Sequence, residues 1–169
     1  MCGVSAILRL APGADVIEPM VTALTHRGPD DRGTYVDPGG RAVLGYDRLS
    51  IIDLSHAADQ PFTSPDGRYV LVCNGELYNY RELRRELRDY PFRSDGDIEV
   101  MLAAWCAWGE AALDRFIGMF AFVLWDTLTG EATLVRDRFG VKPLYIAERD
   151  DGSLLAASEI KALHAAGVP

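Results

Sequence analysis

Apolar, β-branched runs mark both ends of the chain, and apolar residues at helical spacing mark its middle. An apolar run at residues 4–10, followed by Ala-Pro-Gly, predicts a strand that begins almost at residue 1. Apolar residues on one helical face predict a helix from Asp15, its N-cap, to about Leu24. Further helices are predicted at residues 80–88, 97–108 and 110–116. The remaining strands are predicted at residues 33–37, 42–46, 68–73, 120–126, 132–136, 144–148 and 154–157.

Turn residues between the predicted strands indicate antiparallel pairing. Thr129-Gly130 and the Asp-Asp-Gly sequence at residues 150–152 each separate two strands at hairpin spacing. The segment from His26 to Gly33 is rich in Gly, Pro and charge, so it is predicted to be a polar loop. Because strands are grouped at the two ends with helices between them, we expect an α+β fold rather than an alternating parallel sheet. Residues 1–169 are predicted to form one domain.

The composition narrows the classes of partner and compartment. The 169 residues are 49% hydrophobic and carry a formal net charge of -8, which is typical of one acidic globular domain. An acidic surface repels phosphates and anionic lipids, so neither a nucleic acid nor a membrane is an expected partner. The three cysteines form no C-x-x-C pair and no disulfide framework, and we find no signal sequence or membrane-spanning run. We therefore expect a soluble, cytoplasmic protein.

Cys2 is the first residue with candidate chemistry. If Met1 is removed, Cys2 carries both a thiol and a free α-amine. An α-amine titrates at about 7.7–8.0, so it could accept the thiol proton directly or through one water. Cys2 would then be a nucleophile that needs no histidine base. The alternative is that Cys2 is only a small apolar residue of a strand.

Asn74-Gly75-Glu76 is predicted to follow directly after an apolar strand. An asparagine amide and a glycine backbone N–H are donors of the kind that stabilise the oxyanion of acyl transfer. Glu76 could bind the ammonium group of a substrate. The alternative is an Asn-Gly hairpin turn.

Arg48 and Asp97 complete a set of groups that could recognise a free amino acid. The planar guanidinium of Arg48 matches the geometry of an α-carboxylate, and the alternative is a surface salt bridge. Asp97 could bind a substrate amine, and the alternative is a helix N-cap. The loop His26-Arg27-Gly28-Pro29-Asp30-Asp31 presents a cationic face, or is simply a solvated turn with internal ion pairs.

Six motifs, in order along nearly the whole chain, resemble the glutaminase domain of glutamine-dependent asparagine synthetases, a branch of the class II amidotransferases. They are Met-Cys-Gly at the start, His26-Arg27-Gly28-Pro29-Asp30, Arg48-Leu49-Ser50-Ile51-Ile52-Asp53, Asn74-Gly75-Glu76-Leu77-Tyr78-Asn79, Arg136-Asp137-Arg138-Phe139-Gly140-Val141-Lys142-Pro143-Leu144-Tyr145 and Ala157-Ser158-Glu159-Ile160-Lys161-Ala162-Leu163. The resemblance implies an N-terminal nucleophile hydrolase fold, in which two antiparallel sheets pack face to face between helical layers.

The resemblance also implies a role for each matching residue. Cys2 would attack the side-chain amide of glutamine with its own amine as base, and Asn74 with Gly75 would form the oxyanion hole. The reaction would release ammonia and then hydrolyse a γ-glutamyl thioester to glutamate. The implied substrate-binding residues are Arg48 for the carboxylate, Glu76 and Asp97 for the amine, and the backbone from Leu49 to Ile52 for the pocket wall.

Two positions depart from the family pattern. Tyr46 stands where the family commonly has histidine, two residues before Arg-Leu-Ser. Where the family has Ser-Asp-Thr-Glu, this chain reads Gly96-Asp97-Ile98-Glu99, and Ser94-Asp95 offers another register. We align Asp97 with the family aspartate because Glu99 and the residues after it then also fit.

No segment of this sequence resembles the ATP-binding loop of a synthetase domain. We therefore expect ATP and Mg²⁺ only on a separate synthetase domain or subunit, with no cofactor or metal for the glutaminase half-reaction. That partner would dock on an exposed apolar surface and use the ammonia. Its acceptor is aspartate by default, or a substrate of specialised metabolism. Three alternatives stay open: a non-catalytic docking or regulatory domain, a redox-sensing thiol at Cys2, and association into a homodimer.

Overall fold

The computed structural model describes residues 1–9 and 17–169, and within these ranges the chain forms nine strands and four α-helices. In chain order they are β1 (Gly3–Leu8), α1 (Ile17–Leu24), β2 (Asp31–Val36), β3 (Ala42–Arg48), β4 (Phe62–Thr63), β5 (Tyr69–Leu77), α2 (Tyr80–Glu86), α3 (Asp97–Trp108), β6 (Gly118–Asp126), β7 (Glu131–Arg136), β8 (Tyr145–Glu148), β9 (Leu154–Ala157) and α4 (Ile160–Ala165). The predicted N-cap Asp15 lies outside the described residues.

The strands form two antiparallel sheets. The first has the order β2-β3-β1-β9-β8, and the second has the order β4-β5-β6-β7. In the first sheet β1 is central, because it pairs with β3 on one side and with β9 on the other. The amino-terminal strand is thus joined to neighbours on both edges, which fixes the position of Cys2 immediately before it.

Three hydrophobic cores hold the layers together. One lies between the two sheets and contains Val4, Leu44 and Val72. A second lies between the first sheet and helices α1 and α4, and includes Ile7 and Leu163. A third, the core between the second sheet and helices α2 and α3, is built from Leu71, Leu83, Met101, Phe122 and their neighbours. The expected α+β sandwich, with two antiparallel sheets between two helical layers, is confirmed.

Strand alternation explains why the candidate residues meet between the sheets. Side chains two residues apart in a strand share a face. Cys2 therefore points the same way as Val4, into the space between the sheets, and packs against that core. By the same rule Asn74 shares the face of Val72 on β5, while Cys73 points to the helical side.

Several predicted boundaries were wrong. β2 begins at Asp31, inside the predicted loop 26–33, because its pairing with β3 extends from Asp31 opposite Arg48 to Val36 opposite Val43. A 3-10 helix at Thr25–Arg27 overlaps the start of the same predicted loop. The segment Gly109–Arg115 is a 3-10 helix rather than an α-helix. Strand β4 and helix α4 were not predicted.

The Asn-Gly hairpin turn does not form, and Asn74-Gly75-Glu76 does not follow the strand but lies within it. β5 continues to Leu77, with Asn74 opposite Ala121 and Gly75 opposite Phe120 on β6. Nine consecutive pairs join β5 to β6, so cross-strand pairing overrides the local turn preference of Asn-Gly.

Within the described residues, no helix is long and apolar enough to cross a membrane.

Candidate active site

The sulfur of Cys2 lies among three polar groups. The hydroxyl of Tyr46 donates a hydrogen bond to Cys2 Sγ at 2.8 Å, and the backbone N–H of Leu49 lies 3.4 Å from the same atom. The carbonyl oxygen of Leu49 lies 3.6 Å away and can accept a hydrogen bond from the thiol. The sulfur is therefore held just before the start of β1 by contacts from β3 and from the segment that follows β3.

The backbone of Cys2 is fixed by the side chain of Arg27. Arg27 Nε donates to the carbonyl oxygen of Cys2 at 2.9 Å, and Arg27 Nη1 donates to Glu159 at 2.7 Å. Burial opposes ionisation of Glu159, but hydrogen bonds from Arg27, Lys161 and His26 outweigh it and lower the pKa of Glu159 to about 2. The ion pair thus joins two of the sequence motifs behind the nucleophile.

Ser158 fixes the next part of β1. Its side-chain oxygen accepts a hydrogen bond from the backbone N–H of Val4 at 2.9 Å, and its own N–H donates to the Val4 carbonyl at 2.9 Å. Ser158 is fully buried. The segment Ser158-Glu159 therefore sets the path of the chain that leads to Cys2.

One cavity beside Cys2 brings together all of the predicted site residues. Cys2 lines it together with the predicted oxyanion donors Asn74 and Gly75. Its wall also contains every predicted substrate-binding residue: Arg48, Leu49, Ile52, Glu76 and Asp97. Cys2, just before β1, and residues from β3, β5 and the start of α3 thus converge on a single space, although they are distant in sequence.

Asn74 supplies an unused hydrogen-bond donor in this cavity. Asn74 is 1% exposed, and its side-chain Nδ2 has no hydrogen-bond partner among the residues that the structure describes. A buried donor without a partner costs about 1–3 kcal/mol of stability. A polar ligand in the cavity would restore the missing bond.

Gly75 is required by the close approach of β5 and β6. A Cβ atom at this position would lie 2.7 Å from Phe120 Cβ and 2.8 Å from the Met119 carbonyl oxygen. The glycine therefore lets the backbone next to Asn74 pack tightly against β6, rather than making a turn.

Arg48 is buried, so the alternative that it forms a salt bridge on the protein surface was wrong. It is 6% exposed, and its guanidinium donates to the carbonyl oxygens of Ser55 (2.9 Å) and Asp53 and to the carboxylate of Asp59. These bonds fold the segment 49–59 over one side of the cavity. Binding of a ligand carboxylate by Arg48 stays a prediction.

Other contacts hold the same segment at both ends. The carboxylate of Asp30 accepts a hydrogen bond from the backbone N–H of Ser50 at 2.7 Å, and Asp53 accepts one from the backbone N–H of Asp95 at 2.8 Å. The side chain of Gln60 exchanges two hydrogen bonds with the backbone of Cys73, at 2.7 and 3.2 Å. The cavity wall is therefore a constrained segment, built mainly by the motifs around residues 26–30 and 48–53.

Asp97 faces the cavity from the first residue of α3. Gly96, not Asp97, is the N-cap of this helix, so the N-cap alternative for Asp97 was wrong. Its carboxylate accepts a hydrogen bond from the backbone N–H of Leu77 at 2.7 Å, and burial raises its pKa. The side chain of Asp95 is 97% exposed, so the alternative register would put its carboxylate in solvent.

Lys142 is a cavity residue that the sequence did not assign. It is 7% exposed and lines the same cavity as Cys2. The loop that carries it is held by Asp137, which accepts backbone hydrogen bonds from Phe139 (3.1 Å), Val141 (2.9 Å) and Lys142 (2.9 Å). Tyr46, Arg27 and Glu159 were likewise given no role, although each lies in or beside a recognised motif.

Comparisons with known proteins agree with this geometry. A family model described as a glutamine amidotransferase domain matches residues 1–168. The glutamine phosphoribosylpyrophosphate amidotransferase of Bacillus subtilis, complexed with ADP and GMP, has the same fold with a TM-score of 0.85 at 22% identity. The superposition covers 98% of this chain and 44% of that one.

The relatives that are similar in sequence are longer proteins than this chain. A putative glutamine-hydrolyzing asparagine synthetase of Mycobacterium tuberculosis is 47% identical over 94% of this chain and 27% of its own length. Asparagine synthetase 2 of Bacillus subtilis is 38% identical over 96% and 22%, and amidase chry2 of Gibberella zeae is 38% identical over 99% and 27%. The chain thus spans about a quarter of the length of the curated relatives that it matches. It belongs to the class II glutamine amidotransferase family and is a glutamine amidohydrolase domain.

Proposed function

We propose that this domain hydrolyses the side-chain amide of glutamine through a γ-glutamyl thioester on Cys2. The observation that carries the proposal is the shared cavity, which is lined by Cys2, by two acidic side chains and by Asn74, whose Nδ2 has no hydrogen-bond partner among the described residues. A nucleophile, an oxyanion donor and groups for a substrate ammonium are the parts that this reaction needs.

The first step forms the thioester. After removal of Met1, the α-amine of Cys2 takes the thiol proton and Sγ attacks the amide carbon. The oxyanion then accepts hydrogen bonds from Asn74 Nδ2 and from the N–H of Gly75. As the intermediate collapses, the carbon–nitrogen bond breaks and the proton held by the α-amine passes to the leaving group, which departs as ammonia.

The second step hydrolyses the thioester and regenerates the free enzyme. The α-amine takes a proton from water, and the hydroxide oxygen attacks the thioester carbon. The carbon–sulfur bond then breaks, sulfur leaves as the thiolate and is protonated again, and glutamate is released. Every proton transfer in this scheme uses Cys2 itself, so the half-reaction is written without a cofactor or metal.

Charge and shape favour a free amino acid as substrate. The acidic groups of Glu76 and Asp97 lie in the wall beside the nucleophile and would bind the α-ammonium. Arg48 would share its guanidinium between the segment 49–59 and the α-carboxylate. The backbone from Leu49 to Ile52 would close the pocket around the side chain.

Ammonia released here would supply an ATP-dependent amide-forming domain or subunit. The matched relatives that are asparagine synthetases by name are about four times longer than this chain, which supports such a partner. ATP and Mg²⁺ belong to that partner in this proposal, and aspartate is the default acceptor. A docking surface of exposed apolar residues near the Lys142 loop would meet it: Phe139 (88% exposed), Val141 (56%) and Ile146 (54%).

Two measurements test the glutaminase directly. The intact mass of the protein is measured before and after incubation with a γ-electrophilic glutamine analogue, and glutamate release from glutamine is followed in parallel. We expect loss of Met1, one adduct that is absent in Cys2→Ser, and glutamate production. Cys106→Ala is the matched control, because Cys106 is exposed but lies outside the cavity. A processed protein with neither adduct nor glutamate contradicts the proposal and favours a docking domain.

The docking surface has its own test. A Phe139→Ser variant is expected to keep glutamate release and to lose glutamine-dependent amide formation when combined with a synthetase domain. Amide formation by Phe139→Ser at the wild-type rate would show that this surface does not dock the synthetase domain.

A further inference from the structure

Tyr46 is a buried tyrosine whose hydroxyl contacts the nucleophile. It lies on β3, is 4% exposed and packs into the core between the two sheets with Val4 and Leu44. Its ring is therefore fixed by packing, and its hydroxyl oxygen lies 2.8 Å from Cys2 Sγ. Such a distance is short for a hydrogen bond to sulfur, so the sulfur is within reach of a strong donor.

The environment keeps the Tyr46 hydroxyl protonated. Burial raises the pKa of Tyr46 well above its usual value, and the charge of Cys2 raises it further. The phenol is thus a hydrogen-bond donor throughout the working pH range and not a base. Once Cys2 loses its proton, the sulfur keeps two donors: the Tyr46 hydroxyl and the backbone N–H of Leu49 at 3.4 Å.

We propose that Tyr46 is a positioning residue that stabilises the thiolate of Cys2 by donating a hydrogen bond to its sulfur. The same bond would act twice in turnover, on the attacking thiolate and on the thiolate that leaves when water cleaves the thioester. Tyr46 keeps its proton in both steps, because the α-amine of Cys2 carries the proton transfers. Its role in turnover rests on the proposed glutaminase, whereas its effect on thiol reactivity does not.

A hydrogen bond to a thiolate has two opposite effects on reactivity. A charge-assisted hydrogen bond changes the thiol–thiolate equilibrium by about tenfold, so its loss moves the titration midpoint about one pH unit upward. The thiolate that lacks the bond is intrinsically more nucleophilic, by about threefold for such a change. Removing the Tyr46 hydroxyl should therefore slow the reaction near neutral pH and accelerate it at high pH.

The test measures the rate of thiol–disulfide exchange with dithiodipyridine from pH 5 to pH 11. In this reaction Cys2 Sγ forms a disulfide with one sulfur of the reagent, the reagent disulfide breaks, and a thiopyridone leaves. Wild type and Tyr46→Phe are compared in a Cys106→Ala background, so that the exposed Cys106 does not contribute. Intact mass confirms that both proteins have the same amino terminus and that Cys2 carries the adduct.

Tyr46→Phe should exchange about threefold more slowly than wild type near neutral pH and about threefold faster on the alkaline plateau. The two pH–rate profiles should therefore cross between these regions. Tyr35→Phe is the matched control, because Tyr35 packs against the same core between the sheets. It should reproduce the wild-type profile. Introducing 3-fluorotyrosine at position 46 provides a second variant with a stronger donor, and it should shift the profile to lower pH.

Two results would overturn the proposal. If the midpoint of the pH–rate profile is the same in Tyr46→Phe as in wild type, the hydroxyl does not stabilise the thiolate. If Tyr46→Phe exchanges faster than wild type at every pH, Tyr46 only shields the sulfur from the reagent. If Tyr46→Phe does not fold, the fluorotyrosine variant tests the proposal instead. A pH–rate profile of that variant that is not shifted from wild type would also show that the hydroxyl does not stabilise the thiolate. Glutamate release is assayed separately, so a shifted profile without turnover would contradict the glutaminase and leave the role of Tyr46 intact.

Discussion

Arg27 Nε lies 2.9 Å from the carbonyl oxygen of Cys2, so a buried guanidinium holds the backbone of the proposed nucleophile. The same guanidinium is itself oriented by the carboxylate of Glu159 at 2.7 Å. The position of the thiol therefore depends on an ion pair between residues that are 132 positions apart in sequence.

Glu159→Gln should reduce both stability and turnover. The variant leaves Arg27 without its charged partner, and losing such a partly buried, charge-assisted hydrogen bond costs about 1–3 kcal/mol of unfolding free energy. Glutamate release should fall about tenfold, since a change of about 1.4 kcal/mol in positioning has that effect on rate. Urea unfolding and the glutamate assay measure the two quantities. Glu148→Gln is the control, because the Arg9–Glu148 pair is exposed and 4.0 Å apart. Equal effects of the two substitutions would contradict the positioning role.

The ion pair should also make stability depend on pH in the acid range. The pKa of Glu159 is about 2 in the folded protein, against an ordinary value of 4.5. Because the folded pKa is lowered, the extra stability is present above the unfolded pKa and disappears as the pH falls from about 4.5 towards 2. The stability difference between wild type and Glu159→Gln should therefore shrink across this window. A difference that stays constant from pH 6 to pH 2.5 would show that the carboxylate charge is not responsible.

Which residues converge was predictable from the sequence, but the way in which they are held was not. Cys2, Asn74 and Asp97 were selected by the chemistry of their side chains and by motif position, and the cavity does contain them. The continuation of β5 through Asn74-Gly75 depends on pairing with a strand some forty-five residues later, which local turn preference cannot reveal. Arg27, Glu159 and Tyr46 act through contacts between distant segments, and no spacing rule links them to Cys2. The order of strands and helices predicted only the α+β class. The arrangement of two sheets between helical layers was predicted from the family resemblance.

Asn74→Ala should separate activity from stability. Its amide is the proposed oxyanion donor, and loss of one such donor typically lowers kcat about 10²–10³-fold. The folded protein should lose little stability, because Asn74 Nδ2 has no hydrogen-bond partner in the described part of the chain. Kinetics and urea unfolding of the same preparation measure both. Gln60→Ala is the contrasting control, since its side chain makes two hydrogen bonds to Cys73 and its loss should destabilise the fold. A large stability loss in Asn74→Ala would argue for a structural role.

Gly75→Ala should destabilise the domain because the space for a Cβ is absent. The added atom would lie 2.7 Å from Phe120 Cβ and 2.8 Å from the Met119 carbonyl, so β5 and β6 must separate locally. Overpacking of this kind typically costs about 1–3 kcal/mol. Since Gly75 also precedes Glu76 in the cavity wall, the strand shift should lower turnover as well as the unfolding free energy. Gly96→Ser is a close control: Gly96 lines the same cavity, the nearest atom to its Cβ position is 3.5 Å away, and serine is also favoured at the N-cap position of α3. Thermal unfolding of the two variants decides the matter, and equal stability would mean that β6 adjusts without cost and that the glycine serves only as an N–H donor.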